Sequence, residues 1–555
     1  MTEGIQVAYT HYPNYEELTS FMRACEKASG GWMRLSSLGT TGGGREMWLA
    51  TFSDPASDVP ESKPAYYVQA NAHSHEMCGT VAAMHLMQAL LADAEARRLL
   101  AETTFYVAPR VNPDGAEHAL ITHYPNRSRM GPARKRNGVM PQDLNGDGMI
   151  VNMRWEDPAG PLAVDPEDER LLVPRRAGDR GPFYFQCTEG LIHEYDGGPL
   201  VESVERFDFN RNYPAGWDHT IEPSRYPFEQ PETRAIGEFL YSHPNVFAGL
   251  DYHGGTPGIL YPGGIPGQDV READLEIFLE IGRMGEQLSG LRLMNSRDYR
   301  ASWRNPCILP GSFSDFAYHL LGISLYTVEI GWGWSSAGLG PDETFDAPEE
   351  IKEREFMRRI LKFHDDHADT DTRVPFVPWE DFDHPQLGRV QIGGITYGAK
   401  AHVYPPHLEE LSAGITRFAL AHAAHHPQLA LSGFEVVSIG PNLYRIRARV
   451  SNVGDLNTNV MSTGLASPHH APVTIGLDRA EGVEILSRPA SYEVASLGRG
   501  GADYRPLEWF VAAPSGTRLT VRASHPHGGV VVRTLDLRDK VGSRNPLDML
   551  FGRDG

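Results

Sequence analysis

Two histidines and a glutamate stand where their side chains can reach one metal ion. His73 and Glu76 follow the apolar run 66–72, and His253 ends a second apolar run, 246–253. An imidazole nitrogen and a carboxylate oxygen three positions apart on a turn can both reach Zn²⁺ at bond lengths of about 2 Å. Two near ligands and one distant ligand are typical of a catalytic zinc site, whose fourth position stays open for water. The spacing predicts one zinc ion per chain.

Four further polar residues next to apolar or strand-like segments could take part in the same chemistry. Glu329 lies near the end of the run 325–330, and an acid there must be paired or used, because burial of a lone charge is costly. Near a zinc ion it would take a proton from the attacking water and pass it to the leaving amine. Asn210 and Arg211 offer an amide and a guanidinium fork that can grip a carboxylate at two points. Asp208 could orient a ligand histidine.

The sequence around these residues predicts an α/β domain. A first helix is indicated by the capping-box spacing of Asn14 and Glu17 ahead of an apolar series. Strand patterns then alternate with helical patterns, which indicates a sheet covered by helices. In open sheets of this kind, ligand sites gather where strands end. The strand patterns lie at 66–72, 104–108, 246–253 and 325–330, and the helical patterns at 80–100, 232–241, 272–287, 349–364 and 408–425.

The C-terminal part of the chain has a different pattern. A chain of 555 residues exceeds what one hydrophobic core usually organises, so two domains are expected. In the segments 444–450 and 519–523, apolar and polar residues alternate, as in half-buried strands, and turn signals separate such runs. We therefore expect a catalytic domain at residues 1–428 and a small all-β sandwich at residues 429–555.

Five segments, read in order, resemble the zinc metallocarboxypeptidase family, typified by the pancreatic carboxypeptidases. They are HxxE at 73–76, NPDG at 112–115, NRN at 210–212, a strand-end His253 and Glu329, within the stretch 14–365. The resemblance implies a mixed-sheet, carboxypeptidase-like (phosphorylase/hydrolase-like) fold and cleavage of a peptide or amide bond next to a C-terminal carboxylate. It also implies roles for six residues. The zinc ligands are His73, Glu76 and His253, the general base is Glu329, and the carboxylate is held by Asn210 and Arg211.

The resemblance also extends to less regular positions. The arginine that stabilises the oxyanion falls near Arg127, and Arg129 and Arg134 lie close enough to compete for this role. The position that lines the family's specificity pocket falls on Ser314, with Gly264 nearby. Neither residue is charged, so a preference for basic side chains is not indicated.

One departure from the family leaves the substrate open. The family's mobile tyrosine falls on Cys307, and Tyr299 or Tyr318 could substitute for it. A changed substrate is equally consistent, so an amidase acting on a small acylated amino acid or modified peptide is the alternative function. A non-catalytic peptide- or glycan-binding protein is a third possibility, against which the intact ligands and base argue.

A long insertion separates Gly115 from Asp208. Its segment 143–148, DLNGDG, resembles the start of a calcium loop, but Arg154 stands at the twelfth position, where such a loop has a bidentate Glu. A hydrogen-bonded acidic turn is therefore favoured over a Ca²⁺ site. We expect the insertion to shape the rim of the cleft.

Composition narrows the partners further. The formal net charge of −21 argues against a nucleic-acid partner. The first residues show neither a signal peptide nor a membrane segment, which favours a cytoplasmic enzyme, although a trimmed secreted chain would look the same. Four scattered cysteines without a CxxC pair argue against a disulfide framework. The expected partner is a peptide or small amide substrate, and the oligomeric state is not indicated.

Overall fold

The computed structural model describes residues 5–57, 59–133, 135–202, 204–219, 224–263, 265, 267–301, 310–331, 337–338, 349–369 and 373–538. Its helices are α1 (Tyr15–Ala28), α2 (Cys78–Ala92), α3 (Ala94–Leu99), α4 (Pro113–Thr122), α5 (Pro231–Ser242), α6 (Glu272–Ser289), α7 (Ser296–Ala301), α8 (Phe313–Phe316), α9 (Glu349–Asp366), α10 (Tyr397–Ala401) and α11 (Pro405–Ala424). Within these described residues, none of the helices is long and apolar enough to cross a membrane.

The strands fall into a catalytic sheet, smaller insertion sheets and a C-terminal β domain. Those up to the insertion are β1 (Met33–Thr40), β2 (Glu46–Phe52), β3 (Ala65–Ala70) and β4 (Thr104–Ala108). Those of the insertion are β5 (Arg129–Ala133), β6 (Gly138–Pro141), β7 (Asn152–Glu156), β8 (Leu162–Val164), β9 (Leu172–Pro174), β10 (Phe183–Thr188), β11 (Gly190–His193), β12 (Val201–Glu202) and β13 (Val204–Phe207). The later strands of the catalytic sheet are β14 (Val246–His253), β15 (Gly258–Tyr261), β16 (Leu293–Asn295) and β17 (Ser324–Glu329). They are followed by β18 (Phe376–His384) and β19 (Gly388–Ile395), which join an insertion sheet. The C-terminal strands are β20 (Leu429–Gly440), β21 (Leu443–Asn452), β22 (Val473–Leu477), β23 (Glu484–Ile485), β24 (Ser491–Val494), β25 (Tyr504–Ala512), β26 (Arg518–His525) and β27 (Gly529–Asp536).

The catalytic sheet is mixed, as the sequence predicted. Its eight strands run in the order β1-β2-β4-β3-β14-β17-β15-β16, and the central strands β4, β3, β14 and β17 are parallel neighbours. Every residue of β3 and β14 is buried, which explains their continuous apolar runs. Alternate residues of β3 enter two different core clusters, so both faces of the sheet are covered. The mixed-sheet fold class is confirmed.

The helices lie close to their predicted positions. α1 begins after Asn14, which forms the predicted capping box with Glu17. One prediction was wrong: the single helix at 80–100 is two helices, α2 and α3. The break falls at Asp93, whose extended backbone ends α2 and whose side chain accepts hydrogen bonds from the first amides of α3.

The C-terminal strands form the predicted all-β domain. Two four-stranded sheets, β20-β21-β25-β23 and β24-β22-β26-β27, pair only antiparallel and share one hydrophobic core cluster. The division of the chain at residues 428 and 429 stays a prediction.

A loop of the C-terminal domain completes the core of the catalytic domain. Leu456, Val460 and Met461 belong to the same core cluster as the helices α2, α6 and α11. The Met461 amide donates to the Gly322 carbonyl at 3.3 Å, just before β17. Gly464 packs so closely on Gly322 that a Cβ atom at Gly322 would collide with it. We call residues 456–464 the core loop.

The insertion folds into sheets of its own, which the sequence did not predict. β7, β10, β8 and β9 join the later hairpin β18–β19 in a six-stranded sheet, and β11, β6 and β12 form a second sheet. The DLNGDG segment is a hydrogen-bonded turn, in which the Asp143 carboxylate accepts from the amides of Gly146 and Gly148 at 2.7 and 2.9 Å.

Candidate metal centre and active site

The ends of β3 and β14 bring the predicted zinc ligands together. His73, Glu76 and His253 each offer a ligand atom, and these atoms all lie within 4.8 Å of one another. The Glu76 carboxylate contacts His73 Nδ1 at 2.7 Å and His253 Nδ1 at 2.8 Å. All three residues are buried. Two imidazoles and one carboxylate form a donor set that suits catalytic zinc.

The backbone after β3 turns sharply to present this set. Asn71 adopts a positive φ of 63°, a region that Asn tolerates better than most residues. Its side-chain amide donates to the His73 carbonyl at 2.7 Å. The NPDG motif supports the same turn, because Asn112 caps α4 and also donates to the Ala72 carbonyl at 3.1 Å. This structural role of Asn112 was not predicted.

Each ligand histidine is oriented by an acid on its other nitrogen. Asp208 Oδ1 lies 3.0 Å from His73 Nε2, as the sequence suggested. Asp251 Oδ2 lies 2.9 Å from His253 Nε2, a contact that was not predicted although Asp251 stands two residues before the ligand. A hydrogen bond at Nε2 leaves Nδ1 as the lone-pair nitrogen that a metal requires. The residues present therefore fit a zinc ion.

Neighbouring basic groups lower the pKa of two carboxyl groups at the centre. Burial alone would raise the pKa of Glu76, but His73 and His253 hold it well below its usual value. Burial alone would also raise the pKa of Asp208, but Arg127, Arg211 and His73 keep it well below the usual range. Both carboxyl groups are therefore ionised at neutral pH.

Arg127 is the arginine that lies beside the metal centre. Its Nε donates to Asp208 Oδ2 at 2.8 Å, and its Nη1 lies 3.8 Å from Glu76 Oε1. Arg129 instead packs over the Phe207 ring, 5.0 Å from its centroid. Arg134 lies outside the described residues.

Glu329 and Tyr299 meet next to His253, the predicted zinc ligand on β14. In the register of β14 and β17, Glu329 is the partner of His253. A Cβ atom at Gly255 would collide with both the Glu329 carboxylate and the Tyr299 hydroxyl, so both groups lie over this glycine. Tyr318, the other tyrosine considered, bonds Asp274 at 2.9 Å instead. Cys307 lies outside the described residues.

The residues predicted to bind the carboxylate also come together. Asn210 Nδ2 lies 3.4 Å from His253 Nε2, and Asn210 Oδ1 accepts from the Phe313 amide at 2.8 Å. Arg211 is buried and donates to the Asn210 carbonyl. Phe313 begins α8, so Ser314 follows this contact directly, and Ser314 is buried. Gly264 lies outside the described residues.

The chain is similar to a curated carboxypeptidase and to solved carboxypeptidase structures. A zinc carboxypeptidase of Saccharothrix mutabilis subsp. capreolus is 26% identical over 149 residues, which are 24% of this chain and 34% of that protein. The chain thus spans about a third of the length of this curated relative. Carboxypeptidase A from Helicoverpa armigera is similar at 17% identity and a TM-score of 0.40, over 58% of this chain and 66% of that one. A metallo-carboxypeptidase from Burkholderia cenocepacia is similar at 14% identity and a TM-score of 0.38, over 75% and 70%.

Two family models match consecutive parts of the chain. A domain of unknown function (DUF8731) matches residues 428–536, the region of the C-terminal strands. The zinc carboxypeptidase model (Peptidase_M14) matches residues 18–346, more than half of the chain and the whole of the metal centre. The chain belongs to the zinc carboxypeptidase family.

Proposed function

We propose that this protein is a zinc-dependent carboxypeptidase that removes a residue from the C-terminus of a peptide. The observation that carries the proposal is the buried cluster of His73, Glu76 and His253, with Glu329 and Arg127 beside it. A zinc ion held there supplies Lewis-acid polarisation and a water molecule that ionises near neutral pH. The remaining roles belong to side chains of this chain.

Glu329 is the proton carrier in the proposed reaction. Its carboxylate takes a proton from the attacking water as the new C–O bond forms. It then gives the proton to the nitrogen as the C–N bond breaks, so the amine leaves neutral. Arg127 balances the negative charge that develops on the carbonyl oxygen, and its contact with Asp208 holds the guanidinium in place before substrate arrives.

Arg211 and Asn210 would select a free carboxylate. A guanidinium binds a carboxylate through two parallel hydrogen bonds that a neutral amide cannot match. Burial of Arg211 strengthens this selection, because a substrate without the charge leaves the buried group partly unpaired. We also propose that Ser314 lines the pocket for the departing side chain, without a preference for basic residues.

A two-by-two comparison tests the proposal. kcat/KM is measured for a blocked dipeptide acid and its C-terminal amide, with the wild type and with Arg211→Ala. In the wild type, amidation should cost about 2–5 kcal/mol of transition-state binding, and Arg211→Ala should cost the acid a similar amount while barely affecting the amide. Arg129→Ala, which removes an arginine away from the metal centre, is the matched control and should preserve the preference.

The alternative is an amidase that acts on small acylated amino acids or modified peptides. One observation favours it. Arg211 already donates to a backbone carbonyl of this chain, and Asn210 already accepts from a backbone amide, so part of their hydrogen-bonding capacity is used before a substrate carboxylate arrives. Equal rates for the acid and the amide in the wild type would contradict the carboxypeptidase and support this alternative.

A further inference from the structure

The insertion and the β18–β19 hairpin line a cleft that has no role in the chemical steps proposed above. It has a volume of about 830 Å³ and lies between the six-stranded sheet and the sheet of β11, β6 and β12. We call it the insertion cleft and define it by six lining residues, Tyr124, Trp155, Phe185, Tyr195, Leu200 and Leu387. Its size lies within the range of about 300–1,000 Å³ typical of ligand sites.

The walls of the insertion cleft are uncharged and include a pair of stacked aromatic rings among neutral polar residues. Trp155 and Phe185 are direct cross-strand partners on β7 and β10, and their rings stack at 5.6 Å between centroids. Both are only partly buried, and Val201 at the rim is 41% exposed. None of the described residues that line the cleft carries a charge, in a chain whose net charge is −21. The cleft therefore suits an uncharged ligand whose apolar groups pack on Trp155 and Phe185.

The insertion cleft is connected to the metal centre through one short segment. Tyr124 lines the cleft and stands three residues before Arg127, a separation of at most about 11 Å along the chain. The same segment is fixed to the metal-binding turn, because the Ser74 amide donates to the Arg127 carbonyl at 2.8 Å and the Ser74 hydroxyl to the Asn126 carbonyl. The segment 124–127 therefore runs from the cleft to the arginine beside the metal centre.

We infer that the insertion cleft binds apolar side chains of the peptide substrate on the amino-terminal side of the bond that is cut. This inference rests on the proposed function: if the C-terminal residue occupies the pocket at Arg211, the rest of the peptide extends only in the amino-terminal direction. Apolar side chains match the uncharged walls, and their burial against Trp155 and Phe185 removes apolar surface from water.

Three blocked peptides test the inference. Two are pentapeptides that share their last two residues and carry either Phe and Leu or Ser and Gly at the three positions before them; the third is the shared dipeptide alone. In the wild type, the apolar pentapeptide should have at least a tenfold higher kcat/KM than the polar one. Trp155→Ala and Val201→Glu should each reduce this ratio to below threefold while leaving the dipeptide rate unchanged.

Matched controls lie outside the cleft. Tyr184 alternates with Phe185 on β10 and faces the other side of the sheet, so Tyr184→Ala should keep the tenfold preference. Val532 is 51% exposed on β27, so Val532→Glu controls for an added charge. An equal rate for both pentapeptides in the wild type, or a preference that survives Trp155→Ala and Val201→Glu, would overturn the inference.

Binding separates this inference from the proposed function. Calorimetry with zinc-loaded Glu329→Gln measures the affinity of each peptide without turnover. One result would support the cleft and refute the carboxypeptidase: Trp155→Ala, added to this variant, weakens binding of the apolar pentapeptide, and the wild type cleaves none of the peptides. The opposite result is that the wild type cleaves the dipeptide while both pentapeptides bind equally well. It would support the carboxypeptidase and overturn the inference about the cleft. Tighter binding of a fatty-acyl glycine than of the apolar peptide would overturn the assignment to peptide side chains.

Discussion

At the scale of single residues, the metal centre depends on His253, the ligand that comes from a different strand. Its Nδ1 lies 3.1 Å from His73 Nδ1, so its loss removes one of two nitrogen donors from a set of three. We expect His253→Ala to lose its zinc after dialysis, as measured by elemental analysis, and His75→Ala to keep it. His75 is buried nearby but is outside the donor set. Full zinc occupancy in His253→Ala would contradict the ligand assignment.

The role proposed for Glu329, proton transfer, can be tested separately from metal binding. Glutamine keeps the size of the side chain but cannot carry a proton, so Glu329→Gln should retain zinc and fold and lose about three or more orders of magnitude in kcat. Thermal unfolding and elemental analysis check the first part, and steady-state kinetics the second. Near-normal turnover in this variant would place the base elsewhere.

Tyr299 is the tyrosine that lies beside Glu329, the proposed general base. Its hydroxyl shares the space over Gly255 with the Glu329 carboxylate, and only 3% of the residue is exposed. We expect Tyr299→Phe to lower kcat by about tenfold or more with zinc retained, because a hydroxyl that orients the base or contacts substrate is lost. Tyr318→Phe removes a hydroxyl that bonds Asp274, so its kcat should stay near that of the wild type. Equal kcat values for the two variants would show that Tyr299 has no part in turnover.

At the scale of elements, a buried histidine ties a helix to the strand that carries Glu329. His422 on α11 lies 3.0 Å from the Tyr66 hydroxyl and 3.2 Å from the Ser324 hydroxyl at the start of β17. Burial lowers the pKa of His422 from 6.5 to about 3. Between pH 6.5 and about pH 3, His422 therefore binds a proton in the unfolded chain but not in the folded chain. The stabilisation is complete above pH 6.5 and is lost as the pH falls towards 3.

This linkage gives a measurable slope. From His422, the free energy of unfolding should fall by about 1.4 kcal/mol per pH unit below pH 6.5. Urea unfolding at pH 7, 6, 5 and 4 should show a shallower decline for His422→Gln than for the wild type. His11→Gln, at an exposed position, should follow the wild-type curve. Parallel curves for wild type and His422→Gln would contradict the assignment.

The sequence predicted those helices and strands whose formation depends on residues close together in the chain. α1 has its own capping box, and β3 and β14 are buried on both faces, so their signals lie within a few residues. The insertion sheets escaped prediction because their pairing is non-local: β7 pairs with β19 across more than two hundred residues. The same limit applies at the site. The sequence motifs predicted the metal-binding residues. The position of Tyr299 beside Glu329 depends on how α7 packs, which no short motif encodes.

At the scale of the whole molecule, the C-terminal domain has its own core and also adds a loop to the catalytic core. The core loop supplies Met461 to the catalytic core, and the Ser462 amide donates to Asp274 on α6 at 2.7 Å. A Cβ atom at Gly464 would collide with the Asn459 carbonyl. Gly464→Ala should therefore displace the loop and lower the free energy of unfolding by about 1–3 kcal/mol.

Both domains should respond to that change together. In urea, loss of peptidase activity and loss of tryptophan burial should shift to the same lower midpoint in Gly464→Ala. Gly476→Ala is the matched control, because a Cβ atom there meets Ser491 at an ordinary 3.6 Å. A shift in the C-terminal domain alone, with activity unchanged, would show that the domains unfold independently.

The core loop also has a consequence for how the protein is made. The last catalytic strand, β17, ends at Glu329, but the core beneath it closes only when Met461 arrives, roughly 130 residues later in the chain. At a synthesis rate of about 5–20 residues per second, the nascent catalytic domain waits on the order of ten seconds with part of its apolar interior uncovered. The ribosome-bound chain thus passes through an interval in which a chaperone can bind this interior, and the timing of translation between β17 and the core loop sets its length.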